Sequence, residues 1–288
     1  MPITWNNPAW AFIMGMEHAR IHLETSSVII RQLPIQYLSP HPLWAPCTAA
    51  GTAPENSLIP IPPGTVTLGK IKDHPLYGWD NEFGSLTAKV EGFRAGKHLV
   101  SNKEFLGFIE NQGYGNRDWW TEEGWGWRTY RDQKHPIFWI KENTSYRFRT
   151  MLEIIDMPWD WPAEVNCHEA KAFCNWKSAR TGKALRLPTE EEWHRMRDIS
   201  EIPDQPYWSK APGNINLEHY ASSCPVSRFR FGDLYDVIGN VWQWTETPIN
   251  GYSGFEVHPY YDDFSTPTFD DRHNLIKGGS WISTGNEA

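Results

Sequence analysis

Apolar positions crowd the start of the chain. Ala9, Trp10, Phe12, Ile13, Met14, Met16, Ile21, Leu23, Val28, Ile29 and Ile30 lie within about six turns of helical spacing. Asn6 or Asn7 can cap such a helix, Pro8 suits its first turn, and Pro34 ends it. A helix this apolar must pack on something. The pattern then breaks. Residues 39–64 carry Pro40, Pro42, Pro46, Pro54, Pro60, Pro62 and Pro63 among Ser, Ala and Thr, and read as an extended linker wrapping a surface. Alternation resumes at Thr65-Val66-Thr67-Leu68-Gly69, a strand, with further short strands expected at Phe93 and at 98–100. Ser101 with Glu104 marks a capping box and predicts a helix over 101–112. Asn166, Glu169 and Gly182 bracket a second helix over Cys167–Thr181, with Ala170, Phe173, Cys174 and Trp176 facing the core. Thr189 with Glu192 starts a third. The rest is irregular, with Gly and Asn turns.

Composition narrows the class. The 288 residues hold 27 basic and 35 acidic side chains, a formal charge of −8, so a phosphate-tracking groove is not expected and nucleic acid is excluded as a partner. No run approaches the length of a membrane span, and Glu17, His18, Arg20, His22 and Glu24 interrupt the opening stretch, which rules out a secretory signal. Four scattered cysteines form no CxxC pair and no disulfide framework, and a cytoplasmic location is expected. The 17 Trp alongside 22 Pro and 22 Gly point to short strands and long packed loops, not to a helix bundle.

Three constellations could carry chemistry. His18 and His22 are four apart, so a helix places both imidazoles on one face, where they can ligate one transition metal. Ala19 stands where the H-E-x-x-H proteases have their general base, which argues against peptide hydrolysis. Glu24 is a candidate to orient an imidazole from behind. Two ordinary, partly buried histidines are the competing explanation, at even weight. The second constellation is Asp236-Val237-Ile238-Gly239-Asn240-Val241-Trp242-Gln243-Trp244, where Asp236, Gln243 and the carbonyls of Gly239 and Val241 could gather around calcium. A structural turn flanked by core tryptophans explains the same residues and is favoured. The third runs from Glu256 to Phe264. It offers Tyr260 and Tyr261 as proton donors near a metal, or is simply a solvent-facing acidic loop. Cys167 and Cys174 lie on one helical face and read as packing residues.

Three stretches in order, Leu185 to Trp193, Gly239 to Trp244 and Lys277-Gly278-Gly279-Ser280-Trp281, resemble the signature of the formylglycine-generating-enzyme, or sulfatase-modifying-factor, domain. The likeness covers roughly residues 60–288. The opening run from His18 to Glu24, with Arg31 to Pro34, resembles the end of a DinB-like bundle in the iron-dependent sulfoxide synthases. Within these, it is similar to the 5-histidylcysteine sulfoxide synthases of ovothiol biosynthesis. The stretch Phe255 to Phe264 and the run Gly278 to Glu287 point the same way.

The resemblance implies an α+β class. A C-type-lectin-like formylglycine-generating-enzyme domain with much irregular structure would occupy 61–288, after the last DinB-like helix at 1–38 and a linker at 39–60. His18 and His22 would be two of three histidine ligands to Fe(II). No histidine precedes His18, so truncation is expected at the start, and the domain is expected to be cut short at its C-terminus too. Tyr261, with Tyr260 as the alternative, would be the active-site tyrosine. Asn214 and Ile215 resemble a further calcium-contacting pair, so Ca2+ is a second candidate ion, although Gln243 stands where that family has Glu. The formylglycine enzyme's catalytic cysteines have no counterpart. The implied substrates are cysteine, histidine and O2, giving 5-histidylcysteine sulfoxide. The alternatives are an ergothioneine-type synthase acting on trimethylhistidine and a cysteine-containing thiol, or a non-catalytic lectin-like binding module.

Overall fold

A computed structural model describes residues 3–202 and 210–285. Helix α1 is Trp10–Ile30. Asn7 does mark its start, since its Oδ1 accepts from Ala9 N (2.9 Å) and its carbonyl from Trp10 N, but the first helical residue is Trp10. The helix stops at Ile30, short of Pro34, where residues 31–33 close as a turn. Only one side is covered. Trp10, Glu17 and Ser27 are buried, while Phe12, Met16, Val28 and Ile29 stay exposed. Among the described residues no helix is long and apolar enough to cross a membrane.

The body is built of small antiparallel sheets. Strands β1 (Leu58–Ile61) and β4 (Phe93–Gly96) pair, as do β2 (Gly64–Leu68) and β3 (Leu86–Val90). Strands β5 (Trp139–Glu142), β6 (Ser145–Arg149) and β7 (Ile154–Asp156) form a three-stranded sheet. Two hairpin-like pairs follow: β8 (Arg230–Phe231) with β9 (Leu234–Tyr235), and β10 (Gln243–Pro248) with β11 (Asn274–Lys277). The strand expected at 98–100 is absent. Asn56 takes its place, its amide pairing with both the N–H and the carbonyl of His98 (3.0 Å each). A side chain has satisfied the backbone that a neighbouring strand would have paired.

Helices α2 (Asn102–Glu110), α4 (Cys167–Thr181) and α5 (Glu190–Ile199) start where their caps predict: Ser101, Asn166 and Thr189 each accept from the N–H three residues on. Gly182 ends α4 in the left-handed region, at φ 68°. The core face of α4 is Glu169, Ala172, Phe173 and Trp176, so Ala172 takes the role expected of Ala170. Helix α3 (Glu122–Tyr130) was not expected. The helices and sheets enclose aromatic clusters, one around Trp139, Phe148 and Trp161 and another around Phe105, Phe108 and Phe173.

Glu169 supplies a stability test. It is 3% exposed, accepts from Tyr114 Oη (2.5 Å) and Asn166 N (2.9 Å), and burial pushes its carboxyl up from 4.5 to about 7. The folded state therefore binds this proton more tightly than the unfolded state. The resulting stability is full below pH 4.5 and is lost as pH rises through 7, to a total of about 3 kcal/mol. Thermal unfolding of wild type should decline across that window relative to Glu169→Gln. Parallel curves would show that the proton is not held this way.

Candidate active site

Helix α1 brings His18 and His22 together on one face. Their rings lie 16° from parallel, 4.6 Å apart at the centroids, and their Nε2 atoms are 2.8 Å apart. His18 is half-buried and His22 exposed. The ring of Tyr261 stacks on His18 at 5.6 Å and 19°. Behind Tyr261 stand Phe264 (5.0 Å) and Trp79 (6.1 Å), which stack on each other at 4.2 Å. Tyr77 continues this wall to Trp10 of α1 (4.8 Å). Tyr260 is 53% exposed, and its ring lies by His258 instead (5.2 Å). Of the two candidate tyrosines, Tyr261 is the one set against the imidazole pair.

Glu24 does not orient an imidazole. Its Oε1 accepts from Trp242 Nε1 (2.8 Å), Ser280 Oγ (2.6 Å) and Ser283 Oγ (2.5 Å). Its position two residues past His22 turns it toward the body, where three donors converge on one carboxylate oxygen. Two turns further on, Arg31 ion-pairs with Glu164, donates to the carbonyl of Arg149 (2.8 Å) and lies 3.5 Å over the ring of Phe138. Arg149 returns the contact by donating to the carbonyls of Arg31 (3.1 Å) and Leu33 (3.2 Å). Two polar anchors thus fix the height and rotation of α1 over the aromatic wall.

The turn at 236–244 serves the first of these anchors. Asn240 is fully buried, donates to Asp236 Oδ2 (3.2 Å) and Cys224 O (3.1 Å), and its carbonyl accepts from Trp281 N (3.2 Å). This holds the 278–283 segment so that Ser280 and Ser283 reach Glu24. Gly239, at φ 78°, has no room for a side chain, since a Cβ would stand 2.6 Å from the carbonyl oxygen of Asn214.

Hydrogen bonds within the protein take up several of the oxygens expected to face calcium in this turn. Gln243 Oε1 accepts from Trp193 Nε1 (3.3 Å), which directs Nε2 to donate to the carbonyls of Asp236 (2.9 Å) and Val237 (3.0 Å). An amide N–H occupies those oxygens. Burial also raises the Asp236 carboxyl well above its ordinary value, which disfavours its charged form. Asn214 donates to Ser222 O (2.9 Å) and accepts Asn240 N on its carbonyl, while the Ile215 carbonyl accepts Glu218 N (3.3 Å). Among the described residues, Asn214 Oδ1 and Asp236 Oδ1 are buried without a partner, which gives two side-chain oxygens toward a calcium shell of six to eight.

The imidazole pair fits a transition metal as far as it goes. Two nitrogens bound at about 2.1 Å and at right angles stand about 3 Å apart, close to the 2.8 Å seen here. Among the described residues no cluster of three or more His, Cys, Asp or Glu could complete the shell, so the pair supplies two ligands only. No cysteine offers a nucleophile. Cys47 and Cys224 are buried, and burial raises the thiols of Cys47, Cys167, Cys174 and Cys224, Cys174 to about 12.

Residues 46–288 match the family described as the sulfatase-modifying factor enzyme 1-like domain. The chain belongs to that family. It is 28% identical over 295 residues to a hercynine oxygenase of Mycolicibacterium smegmatis, covering 96% of this chain and 65% of that protein. With the hercynine oxygenase of Mycolicibacterium thermoresistibile it shares 30% identity, covering 94% and 62%. The chain thus spans somewhat under two thirds of these relatives. It is also 24% identical to the formylglycine-generating enzyme of Mus musculus, covering 83% and 70%. PvdO from Pseudomonas aeruginosa shares the fold, with TM-score 0.52 and 15% identity over 83% of this chain and 89% of that one. An alignment over 96% of the chain leaves out too few residues to miss His18 and His22, so the likeness to hercynine oxygenase extends beyond the family domain into α1.

Proposed function

We propose that this chain carries the iron(II)- and O2-dependent joining of cysteine sulfur to the histidine imidazole, giving 5-histidylcysteine sulfoxide. The balance is one thiol, one imidazole C–H and one O2, giving the sulfoxide and one water. The observation that carries the reading is the pair of Nε2 atoms, 2.8 Å apart, with Tyr261 stacked on His18. His18 and His22 would hold the iron, with a third ligand from outside the described residues. Bound iron supplies the activation of O2 and a point of assembly for thiol and imidazole.

The chain's own residues do the rest. Trp79, Phe264 and Tyr77 wall one side of the site. Glu24 and Arg31 keep α1 registered on the body, so the reactants meet in a fixed geometry. Tyr261, its ring stacked on His18, offers a phenol that can donate a proton at the site. In this reading α1 is the last helix of a DinB-like bundle seated on a C-type-lectin-like body.

The names of the relatives favour a second reading, an ergothioneine-type synthase acting on trimethylhistidine and a cysteine-containing thiol. Supplying histidine against trimethylhistidine, and cysteine against its γ-glutamyl conjugate, separates the two by which pair is consumed. Turnover of neither pair would refute both. Tyr261→Phe should shift products from sulfoxide toward oxidised thiol by roughly 100-fold, the low end for a lost general acid. An unchanged ratio in mass spectrometry would remove Tyr261 from the chemistry.

A further inference from the structure

The loop that carries Tyr261 is exposed along most of its length: Pro259, Tyr260, Asp262 and Asp263 all face solvent. Two of its residues are buried, one at each end: His258 at 2% exposure and Ser265 at 2%. Ser265 donates its hydroxyl to the buried Asp80, beside Trp79. His258 is the more unusual of the two. Its ring stacks on Trp10 at 3.7 Å and 10°, and meets Trp5 edge-on at 4.5 Å.

The imidazole also makes two directed contacts. Tyr260 N donates to Nδ1 (3.2 Å), which makes Nδ1 the acceptor and leaves the proton on Nε2, which donates to Trp5 O (3.2 Å). The carbonyl of His258 then accepts from Tyr261 N (3.1 Å). Ring and carbonyl of one residue therefore hold two consecutive amides, Tyr260 and Tyr261. Burial keeps the imidazole below its ordinary 6.5, in the neutral state these contacts need.

We infer that His258 is the residue that positions Tyr261 over the imidazole pair. The geometry is specific because Trp10 belongs to α1, the helix that bears His18 and His22. His258 thus gauges the loop against the same helix that holds the ligands. A phenylalanine would fill the slot between Trp5 and Trp10 and lose both directed contacts. An asparagine would lose the stack, but its Oδ1 would meet the Tyr260 amide where Nδ1 did. The catalytic consequence rests on the sulfoxide-synthase reading, whereas the positioning does not.

The test uses protein labelled with 3-fluorotyrosine, in which the Tyr261 resonance is assigned by its loss in Tyr261→Phe. Ring currents from His18 and Trp79 shift that resonance from the value of an exposed fluorotyrosine. In His258→Phe it should move toward the exposed value, and the ratio of sulfoxide to oxidised thiol should fall by roughly tenfold, as for a displaced reacting group. Anaerobic Fe(II) binding should be unchanged. His258→Asn should restore the resonance and the ratio in large part. Should the Phe variant fail to fold, His258→Gln, which offers the Tyr260 amide no acceptor at the Nδ1 position, takes its place with the same expectation. An unmoved resonance, or an Asn variant no better than Phe, overturns the inference. A moved resonance with an unchanged product ratio upholds the positioning and overturns the role of Tyr261 in the reaction.

Discussion

Replacing His22 by alanine should abolish histidine-dependent iron binding and lower turnover more than 100-fold. Loss of a residue that merely supports a ligand already costs 10- to 100-fold in comparable sites, and His22 would be a ligand itself. The remaining imidazole cannot compensate, because the described residues offer no third donor nearby. His22 is exposed and its ring stacks on His18, so its removal should leave stability within about 0.5 kcal/mol of wild type. Metal affinity and thermal unfolding should therefore separate cleanly. If iron binds to His22→Ala as tightly as to wild type, the pair is an ordinary contact between two surface histidines.

Glu24→Ala, by contrast, should strike stability and metal together. One carboxylate oxygen satisfies Trp242, Ser280 and Ser283. Its loss strands three partly buried donors and should destabilise the protein by about 2–4 kcal/mol, at the scale of lost hydrogen bonds to a charged group. Because those bonds fix α1 on the body, the imidazole pair should also lose its register with Tyr261. Glu24→Gln keeps an acceptor oxygen without the charge and should recover about half of the stability. A residue that only tuned an imidazole would lower metal affinity and leave the unfolding temperature where it was, and that outcome would refute the anchoring role.

The parts of this arrangement that were legible in the sequence are those set by local rules. Ser101, Asn166 and Thr189 announce their helices because a cap and its partner lie three residues apart. The His18–His22 pair is legible for the same reason, since one turn of helix fixes its geometry. Helix α3 escaped notice because Gly124 and Gly126 interrupt it, although its Thr121 cap accepts from Gly124 N as the rule requires. Glu24 was misjudged because its partners lie more than 200 residues away, and nothing local distinguishes a carboxylate that faces an imidazole from one that faces a body not yet placed. The aromatic wall is a long-range assembly of the same kind: Trp79 and Phe264 meet only through the fold. Gln243 was the reverse case. An amide there, where that family has Glu, weakens a calcium shell on sequence alone, and in the fold that amide donates to two carbonyls of the turn.

The most direct test of the account is an anomalous difference map, recorded at the iron edge, from crystals grown anaerobically with Fe(II). The account expects a single strong peak about 2.1 Å from Nε2 of both His18 and His22, on the side that faces the Tyr261 ring. A peak bound elsewhere, or an imidazole pair left without iron while the crystals hold it at another site, would contradict it.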